Sequence, residues 1–475
     1  MCIFSGEAMS DRKAFDVAVI GAGPGGYVAA IRAAQLGKSV ALIEKELVGG
    51  CCLNVGCIPT KTLLSGASTL HQIRRAQEFG IVTGPVSFHY DQMKKRKDQV
   101  VAKVRSSLEG LIRSNKITLL RGAAQFETPH TLKILGTDSL YLDAKQIIIA
   151  TGSIPTDVAA FACDHKRILN STSILELTEL PKSLTIIGGG YIGCEFASLF
   201  VELGVQVTLL EALPSILAAQ GPSIAQVMTK AFQAKGVNIQ TNVAVKSIEN
   251  RQTHVHITLM DGQTLDTDLA LVSIGRKAYT DGLELQKAGL KTNAKGFLDT
   301  DERMQTEVRG IYAIGDVTGK WMLAHVASHQ GMVAAANAAG HEESVHYSAV
   351  PAVIFTSPEI ATVGLMLEQA QAQGYDATVG TFPFQALGKA QASQDTEGYA
   401  QIISVTKTGQ ILGAIAIGHE ASNLIGEMAL AIQNELTLDC VIETIHAHPT
   451  IAEAWHEAAL MAADRPIHLP PRAKR

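Results

Sequence analysis

The sequence lacks a strong charge of either sign: 40 basic and 45 acidic side chains leave −5 over 475 residues. Nucleic acids and anionic membranes favour basic faces, so neither is an expected partner. A long unbroken apolar run is also missing. The most apolar window, 184–205, contains Glu195, Glu202 and five glycines, whereas a membrane span needs about 20 mostly apolar residues. No membrane span is expected. The opening MCIFSGEAMSDRKAFDV has no basic segment leading into an apolar one. It does not read as a secretory signal, and Met9 offers an alternative start. Four of the seven cysteines stand singly, at Cys2, Cys163, Cys194 and Cys440. That pattern excludes a disulfide framework and points to a reducing compartment, by default the cytoplasm.

What is there reads as a well-buried enzyme. Hydrophobic residues make up 47% and charged ones 18%, and the length exceeds what one core supports, so roughly two to four domains are expected.

The first organising feature is a repeat. The run DVAVIGAGPGG (16–26) is an apolar strand, beginning by about Phe15, that enters a turn with Gly21, Gly23 and Gly26. A helical stretch to about Leu36 follows, then the strand SVALIE ending in Glu44. The run SLTIIGGGYIG (183–193) repeats the device with Gly188, Gly190 and Gly193, a helical stretch to Leu203, and the strand VQVTLLE ending in Glu211. From first glycine to acid the offset is 23 residues both times. Such glycines permit a tight turn and close approach of a pyrophosphate at a helix N-terminus, and the acid bonds ribose hydroxyls. Two copies predict two dinucleotides that exchange electrons. Glu211 accepts from a free 2′-hydroxyl and repels a 2′-phosphate, and no arginine follows it in Ala212-Leu213-Pro214-Ser215. NAD is therefore favoured over NADP.

Two further strand ends fit a first domain split in sequence. They are the run IIIATGS (147–153), with its small-residue turn, and GIYAIGD (310–316), with Asp316 where ligands of α/β sheets bind. The second nucleotide module then reads as an insertion.

Cys51, Cys52 and Cys57 fall within seven positions. A vicinal 51–52 bridge strains the backbone, and bridges 51–57 and 52–57 require the chain to fold back. Five residues of regular helix rise about 7.5 Å, beyond the usual disulfide Cα separation of about 4.4–6.8 Å. An irregular segment is expected, eased by Asn54 and Gly56, with a helix opening near Cys57 because Pro59 suits a first turn. A thiol there should have a lowered pKa. A C-x4-C pair with no second pair or nearby histidine argues against zinc or an iron–sulfur cluster, so no metal is expected. Near the other end, in HAHPTIAE (446–453), Pro449 pushes His448 out of helical geometry. Pro449 and Thr450 are then placed to open a helix whose second turn carries Glu453.

Together the segment GGCCLNVGCIPTK (49–61) and the HAHPTIAE run resemble the flavin-dependent pyridine nucleotide–disulfide oxidoreductases, from Asp16 to about Ala459. The resemblance implies an α/β chain with two Rossmann-like dinucleotide-binding domains, the NAD domain inserted in the FAD domain, and a C-terminal α+β dimerisation domain. The implied boundaries are 1–153 and 276–350 for FAD, 154–275 for NAD, and 351–475 for the interface. It assigns the redox disulfide to Cys52 and Cys57, and Cys51 stands where the family usually has threonine. It assigns the acid–base pair to His448 and Glu453, acting across a homodimer, with His446 structural, and a lysine–glutamate pair to Lys61 and Glu195. Flavin contacts map onto Glu44, Lys61, Gly122, Thr151, Gly152, Ser153, Asp316, Met322, Leu323, Ala324 and His325. NAD contacts map onto Gly188, Gly190, Gly193, Glu211, Val243 and Gly275.

The implied activity is oxidation of dihydrolipoyl groups carried on an acyltransferase core or a lipoyl carrier protein. Alternatives are a glutathione-type reductase of the same family and a non-catalytic flavin-bound scaffold. Mercuric reduction needs a C-terminal cysteine pair, and no cysteine follows Cys440. The chain departs from the family wording in Arg276-Lys277-Ala278-Tyr279-Thr280, in 382–390, and at Cys194, read here as part of a glycine-rich turn.

Overall fold

A computed structural model describes residues 12–136 and 139–470; Cys2 and Met9 lie outside them. Strands Arg12–Ile20 (β1), Val40–Glu44 (β2), Thr118–Arg121 (β3), Ala123–Thr128 (β4), Thr131–Leu135 (β5) and Leu140–Ile149 (β6) form a sheet ordered β3-β2-β1-β6-β5-β4. β3, β2, β1 and β6 are parallel, while β4 and β5 extend the sheet as an antiparallel flap. Val17 to Ile20 and Ile147 to Ile149 are buried, as the continuous apolar runs of a parallel sheet covered on both faces should be. β1 begins earlier than the expected Phe15, because Arg12 to Phe15 pair with Tyr141 to Ala144 and Arg12 bonds the Asp143 carboxylate.

Helix α1 (Pro24–Gln35) follows the first glycine turn and buries Ala29, Ala30 and Ala33. Helices α2 (Gly50–Val55), α3 (Cys57–Arg74) and α4 (Tyr90–Ser114) fill the connection from β2 to β3.

After Ser153–Pro155 (β7) the chain builds a second sheet from Ile168–Asn170 (β8), Ser183–Ile187 (β9), Gln206–Leu210 (β10) and Asn238–Gln240 (β11). Val245–Asn250 (β12), Val255–Leu259 (β13) and Thr264–Thr267 (β14) make a small antiparallel sheet, and Leu269–Val272 (β15) completes the parallel one, ordered β11-β10-β9-β15-β8. Helices α5 (Tyr191–Glu202) and α6 (Pro222–Ala234) accompany it. The chain returns along Arg276–Ala278 (β16), which pairs antiparallel with β7, Arg276 opposite Pro155 and Ala278 opposite Ser153. Departure and return thus form one two-stranded ribbon. Ile311–Ala313 (β17) then pairs with β6 in parallel, and α7 (Ala324–Ala338) packs so closely on α1 that a Cβ at Gly331 would meet the Gly25 carbonyl at 2.5 Å.

The last part is an antiparallel sheet of Ala352–Ile354 (β18), Glu359–Gly364 (β19), Ala377–Pro383 (β20), Gly398–Val405 (β21) and Ile411–Gly418 (β22), ordered β18-β19-β22-β21-β20. Helices 421–433 and 453–462 cover it and bury Trp455 completely. Among the described residues no helix is long and apolar enough to cross a membrane.

Candidate active site and nucleotide turns

The two glycine turns are built alike, bond for bond. Gly21 (φ +99°) and Gly188 (φ +106°) leave their strands where a Cβ would lie 2.4 Å from the Ala150 carbonyl oxygen and 2.5 Å from that of Ser273. A Cβ at Gly26 or Gly193 would overlap the carbonyl of the first glycine, at 1.8 and 2.0 Å. The middle positions differ: Gly23 has its nearest neighbour at 3.9 Å and Gly190 has none within 4 Å. Open space beside the middle glycine, at the N-termini of α1 and α5, is what a pyrophosphate requires. The acids match too. Glu44 accepts from the amides of Ala22 and Glu46, both at 2.8 Å, and Glu211 from those of Gly189 (2.6 Å) and Leu213 (2.7 Å). Each carboxylate is clamped by its own turn and keeps lone pairs for ribose hydroxyls.

The other mapped positions lie at the C-terminal ends of these strands. Gly122 donates to the Glu44 carbonyl at 3.0 Å, and Thr151 and Gly152 follow β6. Among the described residues the buried Thr151 hydroxyl has no partner, and together with the open glycine turns it fits a bound dinucleotide. Leu323 precedes α7, which Ala324 opens, and His325 bonds the Pro351 carbonyl at 2.8 Å through Nε2. In the second module Val243 donates to the Glu211 carbonyl, and Gly275 (φ +127°) accepts from Thr156. Cys194 is not in the turn itself. It lies within α5, fully buried, where burial pushes its thiol pKa up.

The cysteine segment is more helical than expected. Cys51 and Cys52 lie on α2, Cys57 opens α3, and the irregularity is confined to Gly56 (φ −143°, ψ −109°). Asn54 keeps helical backbone, and its side chain holds the segment, donating to the carbonyls of Val48 (3.0 Å) and Gly50 (2.9 Å) and accepting from Arg105. The break folds Cys57 back toward Cys52, so that each thiol acts on the other's ionisation, and neither is bridged. Cys52, aided by the charge of Lys61, holds Cys57 down to about 7 against its burial, while Cys57 and burial push Cys52 up. Its place at a helix start likewise favours the charged form of Cys57.

Lys61, one turn further along α3, donates to both carboxylate oxygens of Glu195 on α5, at 2.9 and 2.7 Å. Glu195 is buried and also accepts the Phe355 amide at 3.0 Å, and the Lys61 ammonium lies 4.6 Å above the Phe355 ring.

His448 and Glu453 meet: Nδ1 lies 2.8 Å from Oε1, and the second carboxylate oxygen accepts the Thr450 amide at 2.9 Å. Burial opposes ionisation of Glu453, but the Thr450 amide and His448 outweigh it and keep its pKa low. The helix here begins at Glu453 itself, not at Pro449. Residues 450–452 are taken up by tight turns, Ala454 bonding back to Ile451 and Trp455 to Ala452. With Nδ1 engaged, Nε2 is the free nitrogen, and the ring is 77% exposed. Within one chain its hydrogen bond goes to Glu453, and it makes none to the cysteines. His446, by contrast, is 8% exposed and bonded to Glu427.

Sequence reasoning missed one cluster. Arg276, on β16, donates to the Ser153 hydroxyl and carbonyl, both at 2.7 Å, and to the Cys51 sulfur at 3.4 Å. The Ser153 hydroxyl in turn donates to Asp316. Arg276 had stood out only for the residues that follow it.

Known proteins resemble the chain over most of its length. The family "Pyridine nucleotide-disulphide oxidoreductase" matches residues 15–331, and its dimerisation domain matches 350–459. Dihydrolipoyl dehydrogenase from Chlamydia pneumoniae is 51% identical over 459 residues, covering 97% of this chain and 99% of the relative. The enzyme of that name from Geobacillus stearothermophilus is 42% identical, covering 95% and 97%. Among solved structures, LpdA from Mycobacterium tuberculosis superposes with a TM-score of 0.89 at 28% identity, covering 94% of this chain and 99% of that one. The Escherichia coli flavoprotein disulfide reductase RclA gives 0.84 at 29%, with the same coverage. Matched over nearly its whole length, the chain belongs to the pyridine nucleotide–disulphide oxidoreductases.

Proposed function

We propose that the chain is a dihydrolipoyl dehydrogenase, oxidising protein-bound dihydrolipoamide through a Cys52–Cys57 disulfide, with FAD and NAD as cofactors. The observation that carries this reading is the approach of the two free thiols across the break at Gly56, where each shifts the other's ionisation, Cys57 down and Cys52 up. Near-full-length identity to relatives of that name supports the choice of substrate.

Nε2 of His448, free because Nδ1 is held by Glu453, takes a proton from one substrate thiol. The resulting thiolate attacks Cys52 Sγ and breaks the disulfide, leaving Cys57 as thiolate beside Lys61. The second substrate sulfur then closes the oxidised lipoyl ring and releases Cys52 with a proton. Bound FAD supplies the acceptor for the electron pair and NAD the final hydride acceptor. Glu44 and Glu211 would hold the ribose ends, and the N-termini of α1 and α5 would hold the pyrophosphates.

The exposure of His448 supports an active homodimer in which this ring serves the partner's cysteines. The proposed units are 1–153 with 276–350 for FAD, 154–275 for NAD and 351–475 for the interface, the ribbon of β7 and β16 marking the join. The physiological partners would be lipoyl domains of an acyltransferase core or a lipoyl carrier protein, in the cytoplasm. The test is steady-state oxidation of free dihydrolipoamide with NAD and NADP side by side. Turnover with NAD is expected. Reduction of glutathione disulfide by NADPH, with no dihydrolipoamide turnover, would overturn the assignment, and no turnover with either would favour a scaffold.

A further inference from the structure

We infer that Arg276 is a positioning residue that keeps Cys51 out of the redox disulfide. The inference rests on the reading of Cys52 and Cys57 as the working pair. A third thiol next to such a pair is a hazard: in thiol–disulfide exchange, a Cys51 thiolate attacks Cys57 Sγ, forms a 51–57 bridge, and expels Cys52, which takes up the proton Cys51 gave up. No outside oxidant is required, because a bond is exchanged and no electrons are gained or lost. The vicinal product is disfavoured, since neighbouring helical residues point about 100° apart on α2.

The geometry brings Cys51 within range of this exchange. Its sulfur lies against the break between α2 and α3, 3.4 Å from where a Cβ on Gly56 would sit, and Gly56 directly precedes Cys57. What turns it aside is the guanidinium. Arg276 is fixed by two 2.7 Å bonds to Ser153, itself held by Asp316, and the Nη2 that bonds the Ser153 carbonyl also donates to Cys51 Sγ at 3.4 Å. The sulfur that would attack Cys57 is thus engaged with the inter-module ribbon. Burial also raises the Cys51 thiol, more than the Arg276 charge lowers it, which disfavours the attacking thiolate.

The experiment maps the free thiol in oxidised holoenzyme, denatured in acid with N-ethylmaleimide and digested so that one peptide carries residues 46–61. Fragment ions then report which cysteine holds the label. In the wild type the label is expected on Cys51 alone. In Arg276→Met it is expected to split between Cys51 and Cys52, with a smaller split in Ser153→Ala, which loosens the anchor but keeps the guanidinium. Adding Cys51→Thr to Arg276→Met should recover several-fold the dihydrolipoamide turnover lost, which a merely structural arginine would not allow. Label on Cys51 alone in both single variants, or no recovery in the double variant, overturns the inference and leaves the redox pair standing. Label on Cys52 in the wild type would instead overturn the pair.

Discussion

Lys61 and Glu195 close a two-pronged ion pair between α3, which carries Cys57, and α5 of the inserted module, both bonds under 3 Å. The pair joins the thiolate's helix to the nucleotide-binding unit at a point where Glu195 is buried. Lys61→Met leaves that carboxylate without its counterion, a loss of about 3 kcal/mol or more. Lys61→Met/Glu195→Gln removes the orphaned charge and should recover much of it. Denaturant unfolding of the three proteins is the measurement, and equal destabilisation of single and double variants would contradict it.

Cys52 and the charge of Lys61 hold the Cys57 thiol down to about 7 against its burial, below the about 8.5 of a free thiol. Its alkylation rate should therefore be near maximal at pH 8 and fall as pH drops through 7. Lys61→Met should move that midpoint up by removing an attractive charge, and Glu195→Gln should move it down by removing a repulsive one. Opposite shifts are the test, read by mass spectrometry of the labelled peptide.

His448→Gln should slow dihydrolipoamide oxidation by about 10²–10⁴-fold, the usual worth of a positioned base. Flavin reduction by NADH, which needs no substrate proton, should be nearly unchanged. Comparable losses in both half-reactions, measured by stopped flow, would remove the base role from this ring.

Glu211→Gln keeps an acceptor for one of the Gly189 and Leu213 amides, which bond different carboxylate oxygens, and loses the charge. The preference for NAD over NADP, taken as a ratio of kcat/KM, should fall by about tenfold, or ~1.4 kcal/mol. An unchanged ratio would mean that another group sets the choice.

Gly190 and Gly193 separate cofactor contact from packing. Gly190→Ala adds a methyl group to open space and should keep its Tm while losing affinity for NAD. Gly193→Ala drives a Cβ to 2.0 Å from the Gly188 carbonyl and should lower Tm as well. Thermal melts and NADH titrations distinguish the two.

The glycine turns and their acids were legible because only glycine meets their contacts: a positive φ at Gly21, and no room for a methyl group at Gly26. Strand, turn, helix and acid then repeat at fixed spacing, a pattern that survives in one dimension. The cysteine segment was legible in part. Gly56 does break the helix, but whether Asn54 bends the backbone or braces it depends on carbonyls at Val48 and Gly50 that its side chain happens to reach. The start of the last helix was misplaced because local turn bonds from 451 to 455 outcompete helix propagation from Pro449. Arg276 was invisible in its main role. Its partners, Ser153 and Cys51, lie 123 and 225 residues away, and a lone arginine carries no periodicity.

The ribbon of β7 and β16 carries an evolutionary consequence. Because the chain exits at Ser153 and re-enters opposite it at Ala278, the inserted module begins and ends at adjacent points, and β17 still lines up beside β6 behind it. A gene segment spliced in at that seam would fold as a cassette without tearing the host sheet. Such a cassette can be copied, exchanged or retuned for another nucleotide while the host's own glycine turn is left untouched.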